Sequence, residues 1–280
     1  VRRPAEASGT AEVGNPGLGR PMGHDSLLHR RNPTVKLGVL LVVTGALVAV
    51  LDPWTPLALL LLAGPAVTWA GALPWRVVLR AQAAFTPFAL SVFLVNAVTR
   101  PGDVLLTAGA LEVTGAGVAV GASLAWRTVL VGTLSTAFVL TTDGARLMTS
   151  LHQHARLGPQ ATFAVLAGYR MLEQLPERWT TIRQAQAARV PPGRRGRGRV
   201  RGAARAAFTL LVVTLRQSQR MAVSMELRAL GSGPRTVHRP VALGRADALF
   251  TAVVLGACAA VVAASAGAGW LESFGAFSPP

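Results

Sequence analysis

The run Gly193-Arg194-Arg195-Gly196-Arg197-Gly198-Arg199-Val200-Arg201 lies inside a longer stretch, residues 143–245, that holds 18 of the chain's 28 basic residues against four acids. Apolar segments flank that stretch on both sides, so it is a cationic insert in a chain otherwise built for a membrane. Lysine and arginine in short loops and near span ends favour the cytoplasmic side. The insert therefore sets the expected orientation of the whole chain and is the surface that meets partners on that side.

Composition points the same way. The 280 residues are 51% hydrophobic and only 14% charged, with a mean hydropathy of +0.43, whereas soluble domains carry about a quarter charged residues. The net charge of +16 is almost all arginine, because Lys36 is the only lysine. Cys258 is alone, which excludes an intrachain disulfide framework and a cysteine-rich metal site. Residues 1–28 have no apolar run, so they read as a disordered tail without a cleavable secretory signal.

A span needs about 20 mostly apolar residues. Residues 37–51, 54–72, 82–98, 117–141 and 248–270 supply five such segments. Asp52-Pro53 separates the first two, since proline ends one helix and can begin the next. Basic residues are six in the stretch through Lys36, then Arg76 and Arg80 after the second span, and the 18 of the insert; the opposite side has only Arg100. The asymmetry predicts an amino terminus and insert in the cytoplasm and a carboxyl terminus outside. Segment 161–172 is apolar but too short to cross, carries Arg170 and is bracketed by Gly158-Pro159 and Pro176, so it is expected along the membrane interface. The fold class is all-α and membrane-integral: a tail (1–28), four spans (29–142), a cytoplasmic helical domain (143–245), a fifth span (246–271) and a second tail (272–280).

Inside the insert, Pro176-Glu177 predicts a helix start. Trp179, Ile182, Gln186 and Arg189 then share one face, and Pro191-Pro192-Gly193 ends the helix. A second helix is predicted over 203–230, with Met221, Met225 and Arg228 on one stripe and Gly231 as a left-handed cap. Both helices thus finish on an apolar stripe, an arginine and a breaker. The helix dipole alone favours arginine there; a planar fork aimed at carboxylates of a soluble partner also needs it. Spacing leaves both readings open.

The remaining polar features are weighed in the same way. Arg194, Arg195, Arg197, Arg199, Arg201 and Arg205 suit anionic lipid headgroups, and their loop lacks aromatic side chains for stacking on bases, so no nucleic acid is expected. His152 and His154 point about 200° apart on a helix, with no cysteine or carboxylate close in sequence to complete a metal site. Arg127 falls within the fourth span, where an ion is by default a functional hypothesis unless it pairs or snorkels. Asp52, Asp143 and Asp247 sit at span ends and read as solvated caps. The spans carry no paired acids and no Ser/His/Asp set, and the sole lysine lies in Pro33-Thr34-Val35-Lys36 rather than in a P-loop. The chain is therefore not expected to be an enzyme, to hold a cofactor or to bind ATP by itself.

Several stretches together resemble a family. Residues 26–37, Ser-Leu-Leu-His-Arg-Arg-Asn-Pro-Thr-Val-Lys-Leu, are similar to the proline-x-x-lysine-leucine lead into the first span of the T components of energy-coupling factor (ECF) transporters, the EcfT/CbiQ-like family. Thr141-Thr142-Asp143 closes the fourth span in that family's manner. Residues 169–177 and 181–189 are similar to its first coupling segment, and Met221-Ala222-Val223-Ser224-Met225-Glu226-Leu227-Arg228-Ala229-Leu230-Gly231 to its second. In that family each coupling helix bears an Ala-Arg-Gly motif that docks on an ATPase subunit. Ala188 and Arg189 match the first motif, with Val190 for its glycine. Arg228 matches the second, with Leu227 for alanine and Ala229 for glycine. The resemblance covers roughly residues 27–262. It implies a noncatalytic T subunit in a bacterial plasma membrane, coupling two ABC-type ATPase subunits to a substrate-binding S component that takes up a vitamin, a vitamin precursor or a cobalt or nickel ion. The rival readings are a stand-alone carrier or membrane-embedded enzyme using Arg127, and a basic scaffold.

Overall fold

The computed structural model describes residues 26–50, 52–108, 111–155, 157–189, 199–230 and 240–269. Among them the elements run α1 (Pro33–Val48), α2 (Trp54–Gly71), α3 (Trp75–Thr99), β1 (Val104–Ala108), β2 (Leu111–Thr114), α4 (Gly115–Thr141), α5 (Gly144–His154), α6 (Pro159–Ala188), α7 (Arg199–Leu227) and α8 (Arg245–Gly267). Helices α2, α3, α4 and α8 are long and apolar enough to cross a membrane, while α1 is apolar but has only 16 residues. The molecule is thus a helical membrane protein with four full-length candidate spans and a shorter fifth apolar helix, not five equal ones.

Local chemistry sets the helix starts. Asn32 caps α1 by accepting the Thr34 N–H at 2.9 Å, with Pro33 at the first helical position. Thr114 Oγ1 accepts the Gly117 N–H at 3.2 Å to open α4, and Asp143 Oδ1 accepts the Ala145 N–H at 2.9 Å to open α5.

Helix α4 packs on α3, α2 and α1, and α8 closes the other side against α1 and α2. The α3–α4 seam is close because α4 presents glycines to it. A Cβ at Gly117 would lie 2.6 Å from the Asn96 carbonyl oxygen, and one at Gly121 would lie 2.8 Å from that of Phe93. Their four-residue spacing is the small-xxx-small device that lets two backbones approach in lipid, where apolar burial alone gives no driving force. Val39, Val43, Leu47, Leu59 and Leu130 form the core where α1, α2 and α4 meet.

Two polar clamps fix α1 against α4. At one end the Lys36 ammonium donates to the Thr141 carbonyl at 2.9 Å. At the other, Arg127 donates through a terminal guanidinium nitrogen to the Val50 carbonyl. Fourteen residues of α4, Arg127 to Thr141, separate the clamps, about 21 Å along its axis; on the other side they join Lys36 of α1 to Val50, two residues past its end. Beyond Arg127, α4 continues for about 18 Å to Gly115, and the exposed apolar residues Leu90, Leu94 and Val95 of α3 continue with it. The α1–α2 turn therefore stops within an apolar flank, where its polar groups must be satisfied by protein. Asp52 meets that need in part: its Oδ2 accepts from Thr55 N at 2.8 Å and Thr55 Oγ1 at 2.6 Å and its charge faces Arg127, while its Oδ1 and the Arg127 Nε are buried without a hydrogen-bond partner among the described residues.

The connection between α3 and α4 adds one hairpin to this all-α fold: β1 and β2 pair antiparallel, Ala108 opposite Leu111. Three expectations need correction. Pro176 does not start a helix; it sits inside α6, which runs unbroken from Pro159. Segment 161–172 is accordingly the first half of that helix, not a separate element. Asp52 and Asp247 are not solvated caps but buried, 2% and 6% exposed, whereas Asp143 is a partly exposed cap. The predicted tail lies outside the described residues up to 25, as does Gly231; Ser26 is buried and Leu28 N–H donates to the Ala70 carbonyl at 3.2 Å.

Replacing Arg127 by methionine should lower stability by about 1–3 kcal/mol, because the Val50 carbonyl loses its donor and the buried Asp52 loses the cation that faces it. Thermal unfolding in detergent measures this. Asp52→Asn added to Arg127→Met should recover part of the loss, and equal losses in the single and double variants would exclude a pair.

Candidate functional site

The sequence points to α6 and α7, which pack on each other. On α6 the less exposed residues are Ala167, Met171, Leu175, Trp179, Ile182 and Gln186, one per turn; on α7 they are Ala203, Ala206, Leu210, Gln217, Met221 and Met225. These stripes face each other where α6 ends and α7 begins. Ala206 is fully buried there, and the Gln186 amide, in the orientation that satisfies both its groups, donates to the Gly202 carbonyl and accepts the Ala206 N–H, each at 3.3 Å. Pro176 is tolerated because it and Leu172, whose carbonyl loses its donor, are both exposed.

The two arginine ends differ. Ala188 is the last residue of α6, and Arg189 caps it in a right-handed conformation, its N–H donating to the Gln186 carbonyl at 3.2 Å and its side chain exposed. Val190 lies outside the described residues. Helix α7 ends in a Schellman motif: the Ala229 N–H donates to Glu226 O at 2.8 Å, and the Leu230 N–H donates to Met225 O at 3.1 Å. Ala229 holds the left-handed position at φ 55°. Glycine takes that position without steric cost, so the site where the coupling motif carries glycine is here the left-handed C-cap. Arg228 is exposed on this turn, beside Leu227, which is 84% exposed.

Arg194, Arg195 and Arg197 lie outside the described residues. Arg199 is the first residue of α7, and Arg201 and Arg205 are exposed on its first turns, with no acid in the first turn. Cations at the positive end of a helix dipole are unfavourable by roughly 0.3–1 kcal/mol each, so helix stability does not account for them. Arg127 is remote from this surface and clamps the α1–α2 turn. His152 and His154 are tied to backbone, Nδ1 of His152 at 2.6 Å from the Leu157 carbonyl and Nε2 of His154 at 2.9 Å from that of Val241. Among the described residues no three His, Cys, Asp or Glu side chains gather to hold a metal ion.

Sequence reasoning missed the joint that carries α6 and α7. Asn32 Oδ1 accepts from Ser150 Oγ at 2.6 Å, and Ser150 Oγ accepts from Thr34 Oγ1 at 2.7 Å. The Asn32 N–H donates to Asp247 Oδ1 at 3.0 Å, while Asp247 Oδ2 accepts the Gly244 N–H at 3.0 Å. Gln153 Oε1 adds a bond from the Val241 N–H at 2.9 Å. The starts of α1 and α8 and one face of α5 thus meet in a single buried knot. The available signal was the cap-forming Asn32-Pro33 pair together with an acid three residues after Gly244.

Residues 24–238 match the CbiQ family model, described as cobalt transport protein. No curated protein is similar enough to the chain to match it. The family match takes in α1 through α7, including both arginine ends, the glycine seam and Asn32 and Ser150 of the joint, while Asp247 lies beyond it, and on that ground the chain belongs to the CbiQ family of membrane transport proteins.

Proposed function

We propose that the chain is the T subunit of an ECF-type transporter, passing the work of two ABC-type ATPases to an S component that takes up a micronutrient. The observation that supports this reading is the Schellman cap at Arg228-Ala229, where the backbone is left-handed at the position that the family's Ala-Arg-Gly motif gives to glycine. A second exposed arginine, Arg189, ends the helix packed against it. Two presented guanidiniums suit two grooves on two ATPase copies, where a bidentate fork meets carboxylates. The membrane is the bacterial plasma membrane, with α5–α7 in the cytoplasm and the carboxyl terminus outside, as the distribution of basic residues requires. ATP acts by moving α6 and α7, a two-state element whose position the nucleotide biases. Arg194, Arg195, Arg197, Arg199 and Arg201 suit anionic lipid headgroups.

Reconstitution tests this. Uptake into liposomes should need the chain, both ATPases and the S component together, and uptake by the chain alone would sink the proposal. Arg189→Ala/Arg228→Ala should cost about 2–5 kcal/mol of ATPase affinity, since each change leaves a partner acid unpaired. Unchanged pull-down of the ATPases by the double variant would remove these residues from the interface.

The alanine cap gives an independent check. Ala229→Gly should stabilise the end of α7 by about 1 kcal/mol, because an L-residue in the left-handed region is strained. Ala229→Val should destabilise it further. Hydrogen exchange at the Leu230 amide reads both effects, and slower exchange in the valine variant would contradict the cap.

A further inference from the structure

We infer that the protein holds an anionic phospholipid at the junction between its spans and its helical insert, with one acyl chain between α1, α2, α4 and α8 and the headgroup among Arg30, Arg146 and Arg170. The first observation is a cavity of about 420 Å³ whose walls are mostly apolar, including Val39, Val43, Leu59, Leu130 and Phe138. Its rim carries Leu62, Trp69 and Val253, which are 51%, 81% and 60% exposed. It therefore opens sideways onto the bilayer rather than onto water. A dry cavity of this kind takes a hydrocarbon chain, because apolar walls offer water no partners.

The second observation is charge. At the insert end of the cavity the Lys36 ammonium is buried, and its hydrogen bonds go only to the Thr141 carbonyl and hydroxyl. Among the described residues no carboxylate pairs with it, although a buried cation ordinarily needs an anion. Next to it lies a second cleft of about 560 Å³, where Arg30, Arg146 and Arg170 converge from the lead into α1, from α5 and from α6. Asp143, the acid in that cleft, already caps α5. None of the three arginines pairs with a carboxylate among the described residues. The clefts adjoin: Thr141 lines the first and Asp143 the second, and Arg146 is near enough to Lys36 for their charges to repel. An apolar slot capped by four cations matches an acyl chain bearing a phosphate, and basic pockets between membrane helices bind such headgroups. A free phosphate would satisfy the arginines but leave the slot empty. The lipid fills both.

The test uses the full chain in nanodiscs of phosphatidylcholine with one-fifth phosphatidylglycerol, released into native mass spectrometry. One phosphatidylglycerol should be retained per chain with at least about tenfold preference over phosphatidylcholine, as four cations of this kind imply. Arg30→Gln/Arg146→Gln/Arg170→Gln should abolish the preference, and the triple lysine variant should keep it. Ala63→Phe, which fills the slot without changing charge, should also lose the lipid. Size-exclusion profiles identify variants that fail to fold, and for those the lysine variant and Ala63→Phe decide. Equal retention of the two lipids would overturn the proposal. So would displacement of the lipid by millimolar inorganic phosphate, or a lipid that survives Ala63→Phe, since either outcome makes the site one for an anion alone.

Discussion

Everything on the insert side hangs from a buried hydrogen-bonded knot in which Asn32, Ser150 and Asp247 satisfy one another. Asn32 and Ser150 are almost inaccessible and Asp247 nearly so. Burying such groups is costly unless every donor and acceptor finds a partner, so the knot tolerates few arrangements. Apolar contacts between α1, α5 and α8 would allow those helices to slide. The polar contacts do not, and they set where α5 leaves the membrane region and hence where α6 and α7 begin.

The glycine seam does comparable work at the opposite end. Gly117 and Gly121 bring α4 onto the backbone of α3, so the two longest apolar helices form one unit. The clamps at Lys36–Thr141 and Arg127–Val50 attach the shorter α1 to that unit. The membrane part is thus held by a few backbone-directed contacts, with apolar packing filling the space between them.

Much of this was legible in the sequence, for identifiable reasons. Apolar runs bounded by Asp52-Pro53 and by the basic insert placed α2, α4 and α8 to within a few residues. The start of α3 was placed too late, because Arg76 and Arg80 lower the hydropathy of its first two turns while remaining good helix formers. Pro176 reads as a helix start because proline is favoured in the first turn and costly in the interior; it stands inside α6 where it and the Leu172 carbonyl are exposed, a tertiary property. The cap at Ala229 was hidden because alanine, unlike glycine, gives no sign of a left-handed backbone. The hairpin strands of five and four residues are too short for alternation to register. That Arg189 and Arg228 stand at helix ends was legible from the breakers that follow them. The knot was not, since its members lie more than one hundred residues apart along the chain.

The spacing of the two α1–α4 clamps constrains motion as well as position. On α4, fourteen residues make nearly four turns, leaving Arg127 and Thr141 about 40° apart around its axis. Both bonds therefore reach α4 on almost the same side, like two hinges on one door edge. Spinning α1 about its own axis would tear both at once, while rocking α1 and α4 together as a blade would keep both. Among the movements open to the bundle, the clamps thus leave tilting available and make twisting expensive.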